Sequence, residues 1–420
     1  MLLSGFTTIL VLLPFTSASV HTLKLKKLPQ VSLEHALETA FLTEKYGAQT
    51  PYQQLPLMGV GGAGRNIRPT LEENSLVWNQ EFINDGHRVP LDFPNIFRHY
   101  VEIELGTPPQ MFKVILDTGS SDFWVTSSKY ESDSCKPPSL IHLKYNSSAS
   151  STYKANGARF SSGYETGSVK GIISQDDLRI ENLAVSGQNF GEVTGGSRAT
   201  IDTYTSFGGV LGLGYKTHSH KHVVPPFYNM VDGGLKPVFS FRFGRSEVDA
   251  GEVTFGGIDP LAYTGGIAYV PLSSTGNWEV KLQKVTFGDT ILDFKSKRTG
   301  AAIDTGTSLI ALPTKIAEKF NTKIGATRRE NSTLHFVDCT KISSLPELTF
   351  YFNGKPYALK GSDYVVVESQ DRCISPFIGA DIHAIGRSLW ILGELFLRRY
   401  YTIFDFNPTG VARIGFAKAV

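Results

Sequence analysis

Two short stretches of this 420-residue chain carry the same acidic tripeptide, Asp-Thr-Gly, each directly after an apolar run. The first contains Asp117, and the second contains Asp304, 187 residues further along. Two carboxylates held about 3 Å apart cannot both ionise at low cost, so they share one proton. The ionised partner can act as a base toward water while the protonated partner donates to a carbonyl oxygen. Such a pair can attack an amide without a covalent intermediate, a metal ion or a cofactor.

The residues that follow each aspartate are of the types needed to hold a carboxylate in place. Glycine allows a sharp turn that brings backbone N–H groups to the carboxylate. Threonine can hydrogen-bond between the two loops, and the hydroxyl that comes next can donate to the outer carboxylate oxygen. A single copy would more often be an ordinary Asx turn, but two matched copies favour a shared site. The supporting residues are Thr118, Gly119 and Ser120 in the first copy and Thr305, Gly306 and Thr307 in the second.

The repeat extends beyond the tripeptides. An apolar-apolar-glycine segment ends at Gly212, 95 residues after Asp117, and another ends at Gly393, 89 residues after Asp304. Two halves of this kind predict a pseudo-two-fold protein whose axis brings both aspartates together. The 41 glycines and 21 prolines favour short strands joined by tight turns, and the length exceeds that of a single core. We therefore predict an all-β, bilobal fold with a cleft between the lobes.

The N-terminal region differs from the rest of the chain. Its first residues have an apolar centre followed by small residues, which is typical of a signal peptide. An alternating Leu/Lys stretch, a short amphipathic helix and a glycine-rich linker follow, which favours a propeptide open to cleavage. We predict a signal peptide at 1–18, a propeptide at 19–86, an N-terminal lobe at 87–235 and a C-terminal lobe at 236–420. Helical periodicity is confined to three stretches, at 33–46, 226–235 and 313–320.

The net charge and the cysteines limit the functions and compartments that fit this sequence. The formal net charge of +2, without a basic run, argues against a nucleic-acid-binding surface. No internal apolar stretch reaches the roughly eighteen residues of a membrane span, so no membrane anchor is expected. Three cysteines suit a secretory compartment only if two pair; we expect a Cys339–Cys373 disulfide, with Cys135 left over. Asn146 and Asn331 begin N-x-Ser/Thr sequons and are expected N-glycosylation sites.

Several longer segments resemble the pepsin family of aspartic endopeptidases. They read "YVEIELGTPPQMFKVILDTGSSDFWV", "YETGSVKG", "GVLGLGY", "AAIDTGTSLIALP" and "WILGELFLRRYYTIFDF". The segments "VVPPFYN", "GGIDP", "NWEVKLQKV", "GFAKAV" and, in the leader, "EKYG" are similar to the fungal vacuolar branch of that family. The resemblance covers roughly residues 23–420. It implies a zymogen whose catalytic dyad is Asp117 and Asp304 and which hydrolyses proteins at acid pH.

The resemblance also implies roles for residues outside the two loops. Tyr164 matches the tyrosine of a flap hairpin that closes over the substrate, and Trp124 would hydrogen-bond its hydroxyl. The Lys45-Tyr46 step in the leader matches a site where the lysine pairs with the dyad and blocks it. Four residues would line apolar pockets on either side of the scissile bond, namely Ile115, Phe207, Val210 and Ile391.

The chain departs from the family pattern at several positions. Glu165 stands where the flap normally has glycine, and Gly208 replaces an aspartate. Arg242 replaces a tyrosine, where it would bring positive charge near the leaving-group side. Glu394 takes the place of the aspartate after the second apolar-apolar-glycine segment. Cys135 lacks the partner found in the family's first small disulfide loop. These differences argue against assuming the family's usual substrate preference.

Two other functions stay open at this level. A catalytically silent peptide-binding protein on the same fold would have no need of the intact loop hydroxyls. A surface-anchored processing enzyme would carry a Ser/Thr-rich stalk or an apolar anchor signal, and the C-terminal region has neither. His218, His220 and His222 alternate in sequence, but no nearby acid or cysteine completes a metal site, so a solvated loop is expected.

The leading hypothesis is a soluble, monomeric acid endopeptidase that needs no cofactor and no metal. We expect a preference for hydrophobic residues beside the scissile bond. The expected partners are protein and peptide substrates and the chain's own propeptide. We expect entry into the secretory pathway and residence in a vacuole-like lumen, with secretion as the alternative.

Overall fold

A computed structural model describes residues 20–27, 99–130, 144–164, 167–196, 208–219, 223–245, 249–274, 276–295, 298–329, 334–384, 387–407 and 410–420. Strands predominate in these residues and form five sheets within the described part of the chain. The structure is thus all-β and divides into two lobes, as predicted from the composition and the repeat.

The first lobe is built on an eight-stranded sheet. The last four residues of its strand Gln110–Asp117 are all buried, so this strand carries its terminal aspartate into the interior. In spatial order the strands are β2 (Lys26–Lys27), β3 (His99–Leu105), β4 (Gln110–Asp117), β9 (Gly209–Gly212), β5 (Phe123–Thr126), β8 (Leu183–Gly196), β7 (Gly167–Ile180) and β6 (Lys154–Tyr164).

A second sheet, which we call the base sheet, has six antiparallel strands. In spatial order they are β1 (His21–Lys24), β11 (Gly251–Phe255), β10 (Val238–Phe243), β27 (Tyr400–Asp405), β28 (Arg413–Ala419) and β12 (Tyr263–Pro271). Its edge strand β1 comes from the leader and pairs with β11, from His21 opposite Phe255 to Lys24 opposite Glu252. Residues 20–27 are therefore part of the folded body.

The second lobe contains three smaller sheets. The first holds β13 (Glu279–Lys281), β16 (Thr299–Ile303), β26 (Arg387–Leu392), β17 (Ile310–Leu312) and β24 (Phe377–Gly379), with β25 (His383–Ala384) paired to β26. The second holds β15 (Thr290–Asp293), β14 (Lys284–Phe287), β20 (Leu348–Phe352) and β21 (Lys355–Leu359). The third holds β18 (Thr327–Arg328), β19 (His335–Val337), β23 (Arg372–Ile374) and β22 (Val366–Ser369).

The helices are few and short. The described residues include α1 (Pro226–Asp232), α2 (Thr314–Lys323), α3 (Gly361–Tyr364) and α4 (Glu394–Leu397), besides single 3-10 turns. Helices α1 and α2 confirm the helical stretches predicted near 226–235 and 313–320, whereas the stretch 33–46 lies outside the described residues. None of the helices in the described ranges has the length and apolar character to cross a membrane.

The internal repeat appears as the same strand arrangement in both lobes. In the first lobe, β4 runs parallel to β9 with Leu116 opposite Leu211, and β9 runs antiparallel to β5. In the second lobe, β16 runs parallel to β26 with Ile303 opposite Leu392, and β26 runs antiparallel to β17. The predicted pseudo-two-fold relation is confirmed, because each aspartate stands at the end of the equivalent strand.

Glycine ends both apolar-apolar-glycine segments because the neighbouring loop leaves no room for a side chain. A Cβ atom on residue 393 would lie 2.4 Å from the carbonyl oxygen of Thr307 and 2.5 Å from that of Leu309. A Cβ on residue 212 would lie 2.5 Å from the carbonyl carbon of Ser121. Both contacts are with backbone atoms, which cannot rotate away as a flexible side chain can.

The main hydrophobic core includes residues from both lobes, the base sheet and the leader. Leu23 and Leu25 of the leader are 3% and 5% exposed within it. Full burial of a leucine side chain is worth about 1.5–3 kcal/mol. The first leader residues are thus held chiefly by burial of apolar surface, supplemented by the pairing of β1 with β11.

Replacing Gly393 with alanine should destabilise the protein by about 1–3 kcal/mol, the usual cost of overpacking a filled interior. The midpoint of urea-induced unfolding measures this loss. Gly266→Ala is the matched control, because no atom of the described residues lies within 4 Å of a Cβ at that position. Equal urea midpoints for Gly393→Ala and Gly266→Ala would contradict the close contact of residue 393 with the Thr307 and Leu309 carbonyls.

Candidate active site

The two aspartates occupy equivalent buried positions at strand ends. Asp117 is the last residue of β4 and is 4% exposed, and Asp304 directly follows β16 and is fully buried. Each loop is anchored to the neighbouring parallel strand through its backbone. The Asp304 N–H donates to the Leu392 carbonyl at 3.1 Å, and the Leu213 N–H donates to the Asp117 carbonyl at 2.8 Å.

Reciprocal hydrogen bonds between Thr118 and Thr305 join the two loops. Each backbone N–H donates to the other threonine's Oγ1 at 3.0 Å. The Thr118 hydroxyl in turn donates to the Ile303 carbonyl at 2.8 Å, and the Thr305 hydroxyl donates to the Leu116 carbonyl at 2.7 Å. Both threonines are buried, so these bonds satisfy polar groups that water cannot reach. The predicted hydrogen bonding between the loops is present.

The Asp117 carboxylate accepts two hydrogen bonds from its own loop and touches the other. The Gly119 N–H donates to its Oδ1 at 2.9 Å, and the Ser120 hydroxyl donates to its Oδ2 at 2.5 Å. A Cβ atom on residue 306 would lie 2.3 Å from Asp117 Oδ1, so only glycine fits at Gly306. The first carboxylate therefore lies directly against the second loop.

The Asp304 carboxylate has the same pair of donors. The Gly306 N–H donates to its Oδ1 at 2.9 Å, and the Thr307 hydroxyl donates to its Oδ2 at 2.6 Å. Donors directed at both oxygens favour the ionised form of a carboxyl group. The two aspartates are therefore held in matched polar settings on adjoining loops, which is the arrangement needed for one to act as a base and the other as an acid.

Two apolar clusters, both separate from the main core, include residues of the strands that carry the loops. Ile115, Trp124 and Val210 belong to the cluster in the first lobe, together with Tyr100, Phe160 and neighbouring valines. Ile391 belongs to the cluster in the second lobe. Three of the four predicted pocket residues thus fall in these clusters, and Phe207 lies outside the described residues.

Some supporting residues were not anticipated from the sequence. Ser121 donates from its hydroxyl to the Tyr215 carbonyl at 2.7 Å. Trp278 donates from its indole N–H to the Leu213 carbonyl at 3.0 Å, which ties a second-lobe residue to the strand end beside Asp117. Trp278 lies in the "NWEV" segment that resembles the family. Its position in the sequence, however, could not predict that its indole would bond to Leu213.

Two of the departures from the family pattern have a local explanation. A Cβ atom on residue 208 would lie 2.9 Å from Phe112 Cδ1, so Gly208 makes room for that ring. Arg242 lies on β10 of the base sheet, where it donates to both carboxylate oxygens of Asp249, at 2.7 and 3.0 Å, and to Glu252 at 3.3 Å. Its charge is compensated there by these two carboxylates.

The remaining predicted residues divide into those the structure describes and those it does not. The Cys339–Cys373 disulfide is present, as predicted. Asn146 is exposed and precedes a short 3-10 turn, where its side chain accepts from the Ser148 N–H at 3.1 Å. Tyr164 ends β6, but its side chain is outside the described part. The other residues outside that part are Lys45, Tyr46, Cys135, Glu165, His220, His222 and Asn331.

Comparison with known proteins agrees with this geometry. A family model described as "Eukaryotic aspartyl protease" matches residues 98–419. The "Probable vacuolar protease A" of Trichophyton verrucosum is 40% identical over 425 residues, which cover 100% of this chain and 99% of that protein. The "Vacuolar protease A" of Aspergillus fumigatus is 40% identical over 422 residues, covering 99% of each.

A second group of similar proteins carries the name cathepsin D. The "Cathepsin D" of Gallus gallus is 38% identical over 330 residues, which cover 77% of this chain and 81% of that protein. The residues that the family model matches include both aspartate loops and the strands that hold them. The chain belongs to the eukaryotic aspartyl protease family and is an aspartic endopeptidase.

Proposed function

We propose that the enzyme hydrolyses peptide bonds in proteins with a water molecule activated between Asp117 and Asp304. The observation that carries this proposal is the reciprocal bonding of Thr118 and Thr305, which sets two buried carboxylates on adjoining loops. Like charges this close share one proton, so one carboxyl is ionised and the other is protonated.

The reaction proceeds in two proton-coupled steps. The ionised carboxylate removes a proton from water, and the water oxygen adds to the peptide carbonyl carbon while the protonated carboxyl donates to the carbonyl oxygen. The tetrahedral gem-diol then collapses: one of its hydroxyls returns a proton to the ionised carboxylate while the protonated carboxyl gives a proton to the amide nitrogen. The C–N bond breaks, and the products are a carboxylic acid and an amine. Neither aspartate becomes covalently attached to the substrate.

Substrate preference follows from the apolar walls beside the dyad. Ile115 and Val210 on one side and Ile391 on the other favour hydrophobic side chains flanking the scissile bond. We assign Phe207 to the same pockets and Tyr164 to a flap that closes over the substrate. Trp124, buried in the first-lobe cluster, would support that tyrosine.

We infer that the enzyme is made as a zymogen with a signal peptide at 1–18 and a propeptide at 19–86. The lobes are assigned to 87–235 and 236–420. Strand β1 begins three residues after the proposed signal boundary, and its pairing with β11 supports a propeptide that folds as part of the body. Lys45 and Tyr46 are assigned the blocking role at the dyad.

Two ion pairs supplement the apolar burial that holds the first propeptide strands. Lys24 pairs with the buried carboxylate of Glu252, and Lys26 Nζ lies 2.6 Å from Glu102 Oε2. Burial works to raise the pKa of Glu252, but the hydrogen bond from Lys24 and the charge of Arg242 hold that pKa below its usual value. The contact with Lys24 is therefore kept at neutral pH and is lost only as the pH falls through this lowered pKa.

The vacuolar lumen is the proposed site of action, because the relatives named vacuolar protease A match nearly the whole chain. Entry into the secretory pathway would expose both sequons to glycosylation. The exposed position of Asn146 supports its use, and Asn331 is proposed on its sequon alone.

Asp117→Asn and Asp304→Asn should each abolish hydrolysis of unfolded protein at acid pH while leaving the protein folded. An amide cannot serve as the base or exchange the shared proton. A statine-type inhibitor should block the unmutated enzyme, because its hydroxyl between the carboxylates imitates the tetrahedral species. Full activity in either variant would sink the assignment of the dyad.

Thr307→Ala should move the pH–rate profile of the processed enzyme upward by about 0.5–1 pH unit. The lost hydroxyl no longer favours the ionised form of Asp304, so a higher pH is needed to reach it. Thr322→Ala is the matched control, because that hydroxyl donates only to the Glu318 carbonyl within α2. An unshifted Thr307→Ala profile would count against the proposed role of this donor.

Lys24→Met should let the zymogen process at a pH about 0.5–1 unit higher than the unmutated chain. Glu252 keeps Arg242 as a partner, so the change weakens only the link to the propeptide. Lys341→Met, which removes a surface pair with Asp338, should leave the processing pH unchanged. Processing at the original pH in both variants would contradict the role given to Lys24.

A further inference from the structure

A buried pair of ionisable side chains joins the two lobes beside the Asp304 loop. His99, the first residue of β3, and Glu394, the first residue of α4, are 295 residues apart in sequence. The His99 Nδ1 atom lies 2.9 Å from Glu394 Oε2, and the two side chains are only 3% and 4% exposed. The histidine ring packs edge-on against Phe243 of the base sheet, with 5.0 Å between ring centroids.

Glu394 also contacts the Asp304 loop through its backbone. Its N–H donates to the Thr307 carbonyl at 2.8 Å, and the next N–H, of Leu395, donates to the Ser308 carbonyl at 3.2 Å. Thr307 is the residue whose hydroxyl donates to Asp304 Oδ2. The position of α4 therefore sets the position of a donor to the catalytic carboxylate, and His99 holds α4 from the other lobe.

The internal repeat shows that a charged residue is not needed to build this part of the fold. In the first half, the residue after the apolar-apolar-glycine segment is Leu213, which is buried and uncharged. Its N–H binds the Asp117 carbonyl without any ionisable side chain. The equivalent position in the second half holds Glu394, so the ionisable pair adds a property that the packing alone does not require.

That property is sensitivity to protons. Within the described residues, His99 Nε2 and Glu394 Oε1 have no hydrogen-bond partner, so any net charge on the pair is poorly compensated. A histidine and a glutamate that together hold one proton carry no net charge. With no proton the pair would be anionic, and with two protons it would be cationic; either state is costly in a buried site.

Several ionisable groups on the elements that pack against the pair have partners or stay neutral. Arg242 on β10 is paired with Asp249 and Glu252, and Asp363 on α3 lies 3.9 Å from Arg399. Burial raises the pKa of Tyr400 and of Tyr401 on β27 to about 12, so both are neutral in acid. The remaining charged residues on adjoining segments are Lys27, opposite His99 on β2, Arg245 after β10 and Arg398 after α4.

We propose that His99 and Glu394 are positioning residues that seat the Asp304 loop best while the pair holds a single proton. With one proton the pair carries no net charge, α4 stays in place, and Thr307 keeps its bond to Asp304. With no proton or with two, the charged pair loosens α4 and the loop with it. This inference rests on the proposed function of the dyad and adds a second proton-dependent element to it.

The test measures kcat and KM from about pH 3 to 7 for the processed enzyme and for Glu394→Gln and His99→Gln. In Glu394→Gln, the histidine is buried without a carboxylate, so its protonation is costly and kcat should fall toward acid. In His99→Gln, the carboxylate is buried without a cation, so its ionisation is costly and kcat should fall as the pH rises. Each loss should be about two- to tenfold, the equivalent of one hydrogen bond, with a smaller change in KM.

The opposite direction of the two shifts is the decisive result. A merely structural role would lower kcat by a similar factor at every pH in both variants, and that outcome, or no change at all, would overturn the proposal. Should a single variant fail to fold, the double variant His99→Leu with Glu394→Leu, which imitates Leu213, should fold and show neither shift. A shift in the double variant would also overturn it.

A control variant and the activity of the unmutated enzyme show whether the inference about His99 and Glu394 or the proposed function has failed. Asp405→Asn, which removes a carboxylate from the pair with Arg413 in the base sheet, should leave the pH dependence of kcat unchanged. If the unmutated, processed enzyme hydrolyses no protein at any pH, the proposed function fails. If it is active but the two single variants shift alike, only the inference about His99 and Glu394 fails.

Discussion

The reciprocal hydrogen bonds between Thr118 and Thr305 are the interaction on which the rest of the structure depends. Each hydroxyl accepts an N–H from the opposite loop and donates to a carbonyl beyond it. A single bond of this kind contributes only about 1 kcal/mol, but a buried group left unpaired costs about 1–3 kcal/mol. All four bonds form together only if the two halves are related by a two-fold axis. The orientation of the lobes, and with it the meeting of the aspartates, follows from that requirement.

Approximate symmetry provides the position of the dyad, and small asymmetries give its members different surroundings. Ser120 faces one carboxylate and Thr307 the other, at closely similar distances. In the first half, the apolar-apolar-glycine segment is followed by Leu213. In the second half, it is followed by Glu394, which is paired with His99. Two carboxyl groups in identical settings would have no preferred division into acid and base, so differences of this kind matter for the chemistry.

The N-terminal strands show why total charge is a poor guide to binding. Residues 1–86 contain six basic and seven acidic side chains, which predicts no attraction to the body. Two of the basic residues, however, are Lys24 and Lys26 in the first strands, which pair with Glu252 and Glu102. Together with buried Leu23 and Leu25, these local contacts hold the strand regardless of the overall balance. Short-range contacts outweigh the distant charges because salt screens the latter.

The sequence by itself determined the repeated loops, the strand-rich architecture, two short helices, the disulfide and the types of donor around each aspartate. These features depend on neighbouring residues or on a motif repeated within the chain. Only the tertiary structure decided which separate residues become partners: Trp278 with Leu213, Arg242 with Asp249 and Glu252 on the base sheet, and His99 with Glu394. Such pairs arise from the register of strands and from the way two lobes meet. No local propensity encodes a contact that exists only after separate segments have packed together.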